Sequence, residues 1–236
     1  YPEVCLDVLQ TRLDGKVAFH SRHITRRLLR MLDDIDPDVV HLHVLLGYYI
    51  NIEMLFTWLL NHRCKVLWTL HDCWAFTGHC IHFEYVRCEQ WKSHCGKFSQ
   101  CPQPDAYPET FRKGMESWSF EKKKSLFTML PPERMKLIVP SRWLERLVRQ
   151  SFLDKYDVTV QHNQIDKSIF RPVESHFKKV NGLENKTMIL SVASKWTERK
   201  GLNDVIHLSQ VLDLDNYVIV AVGLNKNQIK EVSSSI

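Results

Sequence analysis

The sequence lacks an apolar run of about 18 residues, the length that a membrane-spanning helix needs. Its start, Tyr1-Pro2-Glu3-Val4, has no basic region followed by an apolar stretch, so it does not resemble a secretory leader. A disordered chain is also excluded, because 44% hydrophobic and 25% charged residues are typical of globular proteins. We therefore expect a cytoplasmic protein without a membrane span.

The length of 236 residues favours two domains over one. The first residue is not Met, and Ser233-Ser234-Ser235-Ile236 follow a strand and a basic turn without completing a recognisable unit, so both ends look cut. The net charge of +5 suits anionic partners such as nucleotides, phospholipid headgroups or nucleic acid, without choosing among them.

Short β-branched apolar runs alternate with segments of helical periodicity, which predicts an α/β fold with parallel sheets. The predicted strands are 39–43, 65–70, 136–140, 158–160, 188–193 and 217–222. The predicted helices are 25–32, 47–60, 107–130, 142–151 (capped by Ser141) and 201–212.

The composition predicts a first Rossmann-like domain over 1–175 and a polar, basic linker over 176–185. Residues 186–236 are expected to form the start of a second Rossmann-like domain that is truncated in this sequence. Residues 73–108 have no steady period and are predicted to form a long cysteine-rich loop, and long loops of this kind are usually functional or stapled by metal.

Polar side chains follow two of the predicted strands. His41 and His43 end the first strand, and His71 and Asp72 follow the second. Ligands of open α/β sheets bind at the carboxyl ends of the strands, so these residues are candidates for a site. For any single histidine the alternative stays open that it only caps a strand or satisfies a buried carbonyl.

A basic turn lies between the first strand and the first helix of the second domain. It places Lys195, Arg199 and Lys200 before the helix that begins at Gly201. Free N–H groups and the helix dipole favour an anion at such a position, and the cations can neutralise a departing diphosphate. A solvated basic loop is an equally good interpretation of this segment alone.

Five segments carry a resemblance to a known family, in the order in which the family has them. They are 37–43 (PDVVHLH), 68–80 (WTLHDCWAFTGHC), 140–144 (PSRWL), 163–166 (NQID, with Phe170 and Pro172) and 199–202 (RKGL). In these segments the chain is similar to glycosyltransferase family 4, in particular to the bacterial capsule and exopolysaccharide enzymes of the colanic acid type. The segment around His71 is highly specific.

The resemblance implies a GT-B fold with an acceptor-binding first domain, a donor-binding second domain and catalysis in the cleft between them. It implies a retaining transfer of a hexose from a nucleotide-sugar donor to a growing, lipid-linked surface polysaccharide. His71 would face the reacting centre with Asp72 beside it, and His43, Gly47 and Asn163 would lie on the acceptor side. The three cations of the basic turn would hold the donor diphosphate, so no catalytic metal is expected.

The chain also departs from the family pattern. Val44 and Leu46 replace polar residues of a histidine motif, and Gln164 replaces a glycine. The family's first strand with its glycine-rich loop is missing, as is the acidic motif that holds the donor. The activity of the fragment is therefore left open, and a non-catalytic sugar- or nucleotide-binding module of the same fold is the alternative.

Four cysteines of the loop, Cys80, Cys88, Cys95 and Cys101, are separated by seven, six and five residues. This is not the paired spacing of a zinc ribbon, but four thiolates can close a tetrahedral zinc site. Free thiols are the alternative, and disulfides are least expected in a cytosolic enzyme.

The segment near Trp118 joins aromatic residues to Lys122, Lys123 and Lys124. A basic face beside an aromatic one fits peripheral contact with an anionic membrane, at the inner face if the acceptor is lipid-linked. A solvated charge run with the aromatics in the core is the alternative. No nucleic-acid partner is expected, because the positive charge is dispersed and no nucleic-acid motif is present.

Overall fold

The computed structural model describes residues 2–232, with the side chains of residues 2 and 3 left undescribed. Both ends of the chain were expected to be cut. Tyr1 and residues 233–236, at these ends, lie outside the described residues. The protein is a mixed α/β structure with parallel sheets, which confirms the predicted fold class at that level. It divides into two compact units, unit 1 (Tyr1–Gln164) and unit 2 (Ile165–Ile236).

Unit 1 is a four-stranded parallel sheet with helices between its strands. In chain order its elements are α1 (Pro2–Asp14), α2 (Arg22–Ile35), β1 (Val39–Leu42), α3 (Ile52–Asn61), β2 (Lys65–Thr69), α4 (Glu116–Phe127), β3 (Met135–Val139), α5 (Arg142–Val148) and β4 (Asp157–Val160). The strands pair in the order β1-β2-β3-β4, with Trp68 opposite Leu137. Because all strands are parallel, their carboxyl ends lie along one edge of the sheet.

The core of unit 1 forms around the two central strands. Trp68 of β2 is 1% exposed and packs against Phe56 of α3 and Phe127 of α4. The ring centroids of Phe127 lie 4.8 Å from those of Trp68 and Phe56. Helices from both connections therefore hold β2 in place, and β2 leads directly into the histidine and aspartate that follow it.

Helix α3 begins at Ile52 and not at Gly47, which corrects the predicted start. Asn51 is the N-cap, because its side-chain oxygen accepts a hydrogen bond from the N–H of Met54 at 3.0 Å. The backbone N–H of Asn51 in turn donates to the hydroxyl of Thr25 at 2.8 Å. The helix start is thus fixed by a contact with α2, and Gly47 lies in the loop before it.

Helix α4 is also shorter than predicted, since it begins at Glu116 and not at residue 107. Gly114 has a positive φ of +80°, which interrupts a right-handed helix. The N–H of Phe111 donates to the carbonyl of Arg12 at 2.7 Å instead of to its own segment. By contrast, the predicted cap of α5 is confirmed, because Ser141 accepts from the N–H of Leu144.

Unit 2 is a two-stranded parallel sheet with three helices among its described residues. Its elements are α6 (Phe177–Val180), β5 (Thr187–Val192), α7 (Leu202–Val211), β6 (Tyr217–Val222) and α8 (Lys226–Glu231). The predicted linker over 176–185 lies within this unit and contains α6. Across residues 2–232, every helix is too short or too polar to cross a membrane.

Candidate functional site

Four polar residues meet at the carboxyl edge of the unit 1 sheet, and we call His41, His43, His71 and Asp72 the histidine rim. Nδ1 of His43 lies 3.1 Å from Nε2 of His71, and their rings are 5.4 Å apart. Nε2 of His41 lies 2.9 Å from the hydroxyl of Thr69 at the end of β2. The structure therefore brings the predicted histidines of two neighbouring strands into contact.

Backbone contacts hold the rim in position. The indole N–H of the buried Trp68 donates to the carbonyl of His43 at 2.9 Å. One carboxylate oxygen of Asp72 accepts from the N–H of Trp74 at 2.9 Å, which closes a tight turn after His71. A buried aromatic residue thus positions His43, and Asp72 shapes the turn that presents His71.

A small pocket of about 20 Å³ opens between the strand ends and has room for a group the size of a water molecule. His43, His71 and Asp72 line it. Val44 and Leu46 line the same pocket and make part of its wall apolar. Val44 and Leu46 therefore form part of the wall of the candidate site.

His41 differs electrostatically from an ordinary exposed histidine. Although His41 is exposed, partial desolvation lowers its pKa from the usual 6.5, and the neighbouring His43, whose ring centroid is 4.3 Å away, lowers the pKa further. A positive charge is disfavoured because the imidazolium would lose water and meet a second imidazole. The neutral form of His41 is accordingly favoured.

Of the other predicted acceptor-side residues, neither Gly47 nor Asn163 lines the pocket. A Cβ on Gly47 would lie 2.8 Å from the ring of Tyr49, so a larger residue at this position would require the ring to shift. Asn163 is exposed and follows β4, at the same edge of the sheet.

The predicted diphosphate loop of unit 2 is anchored by one aromatic residue. The indole N–H of Trp196 donates to the carbonyl of Val222 at 2.9 Å, and its own carbonyl accepts from Gln228 at 3.2 Å. With Trp196 buried, Lys195, Arg199 and Lys200 are all exposed. The tether fixes the backbone of the loop and leaves the three cations available to a ligand.

Helix α7 starts immediately after these cations. Gly201, the N-cap, has a φ of +75° and supplies no side-chain hydrogen bond to the first turn. N–H groups without an internal partner at a helix start favour anions. Asp204 in the first turn adds one negative charge beside them. The loop cations and the helix N-terminus together favour an anion at this position, and Asp204 opposes it.

The cysteine-rich loop is irregular, as predicted, apart from two short 3₁₀ turns. All seven cysteines are free thiols. Cys80, Cys88, Cys95 and Cys101 line one cavity, which we call the cysteine cavity. Burial raises the pKa of Cys80 to about 11 and that of Cys95 to about 12. Within residues 2–232, no three His, Cys, Asp or Glu side chains form a ready-made metal geometry.

Lys123 is a buried residue that the sequence analysis did not single out. It is 0% exposed, and its Nζ donates to the carbonyl of Trp74 at 2.6 Å and lies 4.0 Å above the indole ring. Burial lowers its pKa from 10.5 to about 7, an effect that Cys95, Cys80 and Asp72 oppose. Only the tertiary structure reveals this residue, because its sequence context is a run of three lysines.

The burial of Lys123 also corrects the expectation of a basic face on α4. Lys122 pairs with Glu53 at 3.4 Å, and Lys124 is exposed. Trp118 is half-buried and packs against Phe19, with ring centroids 4.9 Å apart. The three lysines therefore do not share a surface, and the helix that suggested membrane contact is largely a core helix.

Part of the chain is similar to a known glycosyl transferase. No model of a known protein family matches the chain. Over 77 residues, 30% of this chain, it is 39% identical to the protein assigned as colanic acid biosynthesis glycosyl transferase WcaC of Escherichia coli (strain K12). The match covers 18% of the length of that relative. The similarity therefore points to a glycosyltransferase and leaves the donor, the acceptor and the stereochemistry to proposal.

Proposed function

We propose that the protein is a retaining GT-B glycosyltransferase of family 4 that moves a hexose from a nucleotide-sugar donor to a growing, lipid-linked surface polysaccharide at the cytoplasmic side of the membrane. The observation that carries the proposal is the convergence of His43, His71 and Asp72 on one pocket at the carboxyl edge of the unit 1 sheet. The match to a glycosyl transferase of polysaccharide synthesis supports the same reaction class.

In the proposed reaction, the bond between the anomeric carbon of the sugar and the donor diphosphate breaks, a bond to the oxygen of an acceptor hydroxyl forms, and the hydroxyl proton passes to the departing diphosphate. Negative charge develops on the departing diphosphate. Lys195, Arg199 and Lys200, together with the N-terminus of α7, neutralise that charge. Because fixed cations supply the charge stabilisation, the proposal requires no catalytic metal.

On the acceptor side, His71 faces the transferred sugar. His43 contacts His71 and restrains the orientation of its ring. In the pair at 3.1 Å one ring nitrogen donates and the other accepts, so each histidine fixes the tautomer of its neighbour. Asp72 holds the turn through the N–H of Trp74 and keeps His71 at the rim. Val44 and Leu46 add an apolar wall, which favours an acceptor with an apolar face at this point.

The test is release of a nucleoside diphosphate from a panel of nucleotide-sugars, with the parent protein run beside Lys200→Ala. We expect turnover with one donor and a loss of about 10²–10³-fold on removal of the cation, the cost of losing a transition-state charge partner. Lys179→Ala removes an exposed lysine of the same unit outside the basic loop and serves as the matched control.

Three outcomes separate the candidate functions. Turnover that Lys200→Ala abolishes and Lys179→Ala retains supports the transferase. Binding of a nucleotide-sugar without turnover, in the presence of saccharide acceptors, identifies the non-catalytic module instead. Turnover that is equal in both variants removes the assigned role of Lys200.

A further inference from the structure

The cysteine cavity brings together residues that are far apart in the loop. Four thiols line it, and the cavity, at about 20 Å³, admits one atom the size of a water molecule. The carboxylate-bearing Glu116 of α4, itself 7% exposed, lies in the same lining. The lining includes four cysteines and one glutamate, residue types whose thiolates and carboxylate are metal ligands, around a space for a single atom.

A backbone donor is directed at one of these sulfurs. The N–H of Gly78 lies 3.2 Å from Sγ of Cys95. A Cβ on Gly78 would approach the Cβ of Cys95 to 2.6 Å and the carbonyl of Glu116 to 2.4 Å. Glycine is therefore required for this approach. An N–H donor aimed at sulfur stabilises a thiolate more than a neutral thiol.

The second independent observation is the buried cation beside the cavity. Lys123 carries no carboxylate hydrogen-bond partner, and its electrostatic neighbours are Cys95, Cys80 and Asp72. A buried ammonium is costly unless negative charge lies near it. Two of the three groups that could supply that charge are cysteines of the cavity.

We propose that Cys80, Cys88, Cys95 and Cys101 bind one Zn²⁺ as thiolates and that Lys123 is the buried counter-charge of this centre. Four S–H bonds are replaced by four Zn–S bonds, and the four protons go to solvent. The centre carries a net charge of −2, which the ammonium of Lys123 and the N–H of Gly78 partly offset. Among the described residues these side chains do not already form a ligand set, so metal binding requires cysteine side chains to change rotamer.

The proposed centre connects to the histidine rim through hydrogen bonds. Lys123 holds the carbonyl of Trp74, and the N–H of the same residue is held by Asp72. Lys123 is therefore a positioning residue for the turn after His71. Zinc would stabilise the loop and, through this amine, the position of Asp72.

The experiment uses the reduced protein titrated with Zn²⁺ and, in parallel, with Co²⁺. We expect one zinc per chain by elemental analysis and, with Co²⁺, the charge-transfer absorption of a tetrahedral thiolate centre. Cys88→Ser is expected to lose both signals. Cys5→Ser, which alters an exposed cysteine outside the loop, is the matched control and is expected to keep both.

Lys123→Met tests the counter-charge separately. We expect zinc affinity to fall about 10–100-fold, the usual cost of losing a partner outside the ligand set, while the stoichiometry stays at one. Lys122→Met, on the same helix, is the control and is expected to bind zinc as the parent does. An unchanged affinity in Lys123→Met would overturn the role of Lys123.

The parent protein supplies a readout that does not depend on a variant folding. Competition with a chromogenic chelator should show zinc withheld by the protein. Zinc that passes entirely to the chelator, or a protein mass that reports disulfides among the four cysteines after purification without reductant, would overturn the site. Both readouts report on the zinc site alone, whereas release of a nucleoside diphosphate reports on the proposed function, so the two proposals can fail separately.

Discussion

Unit 1 and unit 2 both contain apolar parallel strands, but they bury them to different degrees. In unit 1, Val66, Trp68 and Leu137 of the central strands are at most 1% exposed. In unit 2, Leu190 and Val192 of β5 are 56% and 65% exposed, although β5 is as apolar in sequence. A parallel strand is buried only when helices or further strands cover both faces, so the sequence of a strand does not by itself determine its burial.

The same contrast appears at the candidate sites. The histidine rim follows strands that are covered by packed helices. Trp68 belongs to this core and donates a hydrogen bond to the carbonyl of His43. The basic loop of unit 2 depends on one indole, Trp196, and on the N-cap Gly201. The rim is therefore held by a core and the basic loop by a local tether.

The largest expected effect concerns the two cores. Phe127→Ala should lower the free energy of unfolding of unit 1 by about 3–5 kcal/mol, because it empties a site between Trp68 and Phe56. Val192→Ala should change the free energy of unfolding of unit 2 by about 0.5 kcal/mol or less, since the side chain is already mostly exposed. Urea denaturation measures both, and equal losses would contradict the contrast between the units.

The helix caps give a smaller contrast. Asn51 is 0% exposed and caps α3 while its backbone bonds to Thr25, whereas Asn225 caps the short helix α8 at an exposed position. Asn51→Ala should lower the free energy of unfolding by about 2 kcal/mol, because the side chain's hydrogen bonds with the N–H of Met54 and the carbonyl of Phe19 are lost together. Asn225→Ala should cost about 0.5 kcal/mol. Hydrogen exchange of the α3 and α8 amides would measure the free energy of opening of each helix. A larger decrease in α8 on Asn225→Ala than in α3 on Asn51→Ala would contradict the comparison.

The smallest effect tests whether the packing of unit 1 reaches its rim. His41 should titrate below 6.5 in an NMR pH series, because burial and then His43 lower its pKa. His43→Gln should raise the pKa of His41 toward 6.5. The folded protein binds this proton less tightly than the unfolded chain, so the contribution to stability decreases as the pH falls below about 6.5. A pKa of His41 at or above 6.5 would contradict the effects assigned to desolvation and to His43.

The strands were the most predictable elements. The apolar runs at 39–43, 65–70 and 217–222 correspond to β1, β2 and β6 with end shifts of one residue or none. Buried parallel strands have short, continuous β-branched sequences, and that signal is local. The rim residues followed from the strands, because parallel strands bring their carboxyl ends to one edge.

Helix starts and buried charges were less predictable. The start of α3 depends on the contact of Asn51 with Thr25 in another helix, which no local pattern around Gly47 reveals. The burial of Lys123 depends on Trp74, 49 positions earlier in the chain. Three consecutive lysines are typical of a solvated face, and only the packing of α4 against the loop shows that the middle one is buried.

The sequence by itself determined the α/β class, the order of the strands along the chain and the polar residues that follow them. These features follow from local periodicity and from the geometry of parallel strands. The tertiary structure decided which histidines touch, where α3 and α4 begin and which four cysteines share a cavity with a buried lysine beside it. Those contacts join residues far apart in the chain, and their positions are fixed by packing between elements.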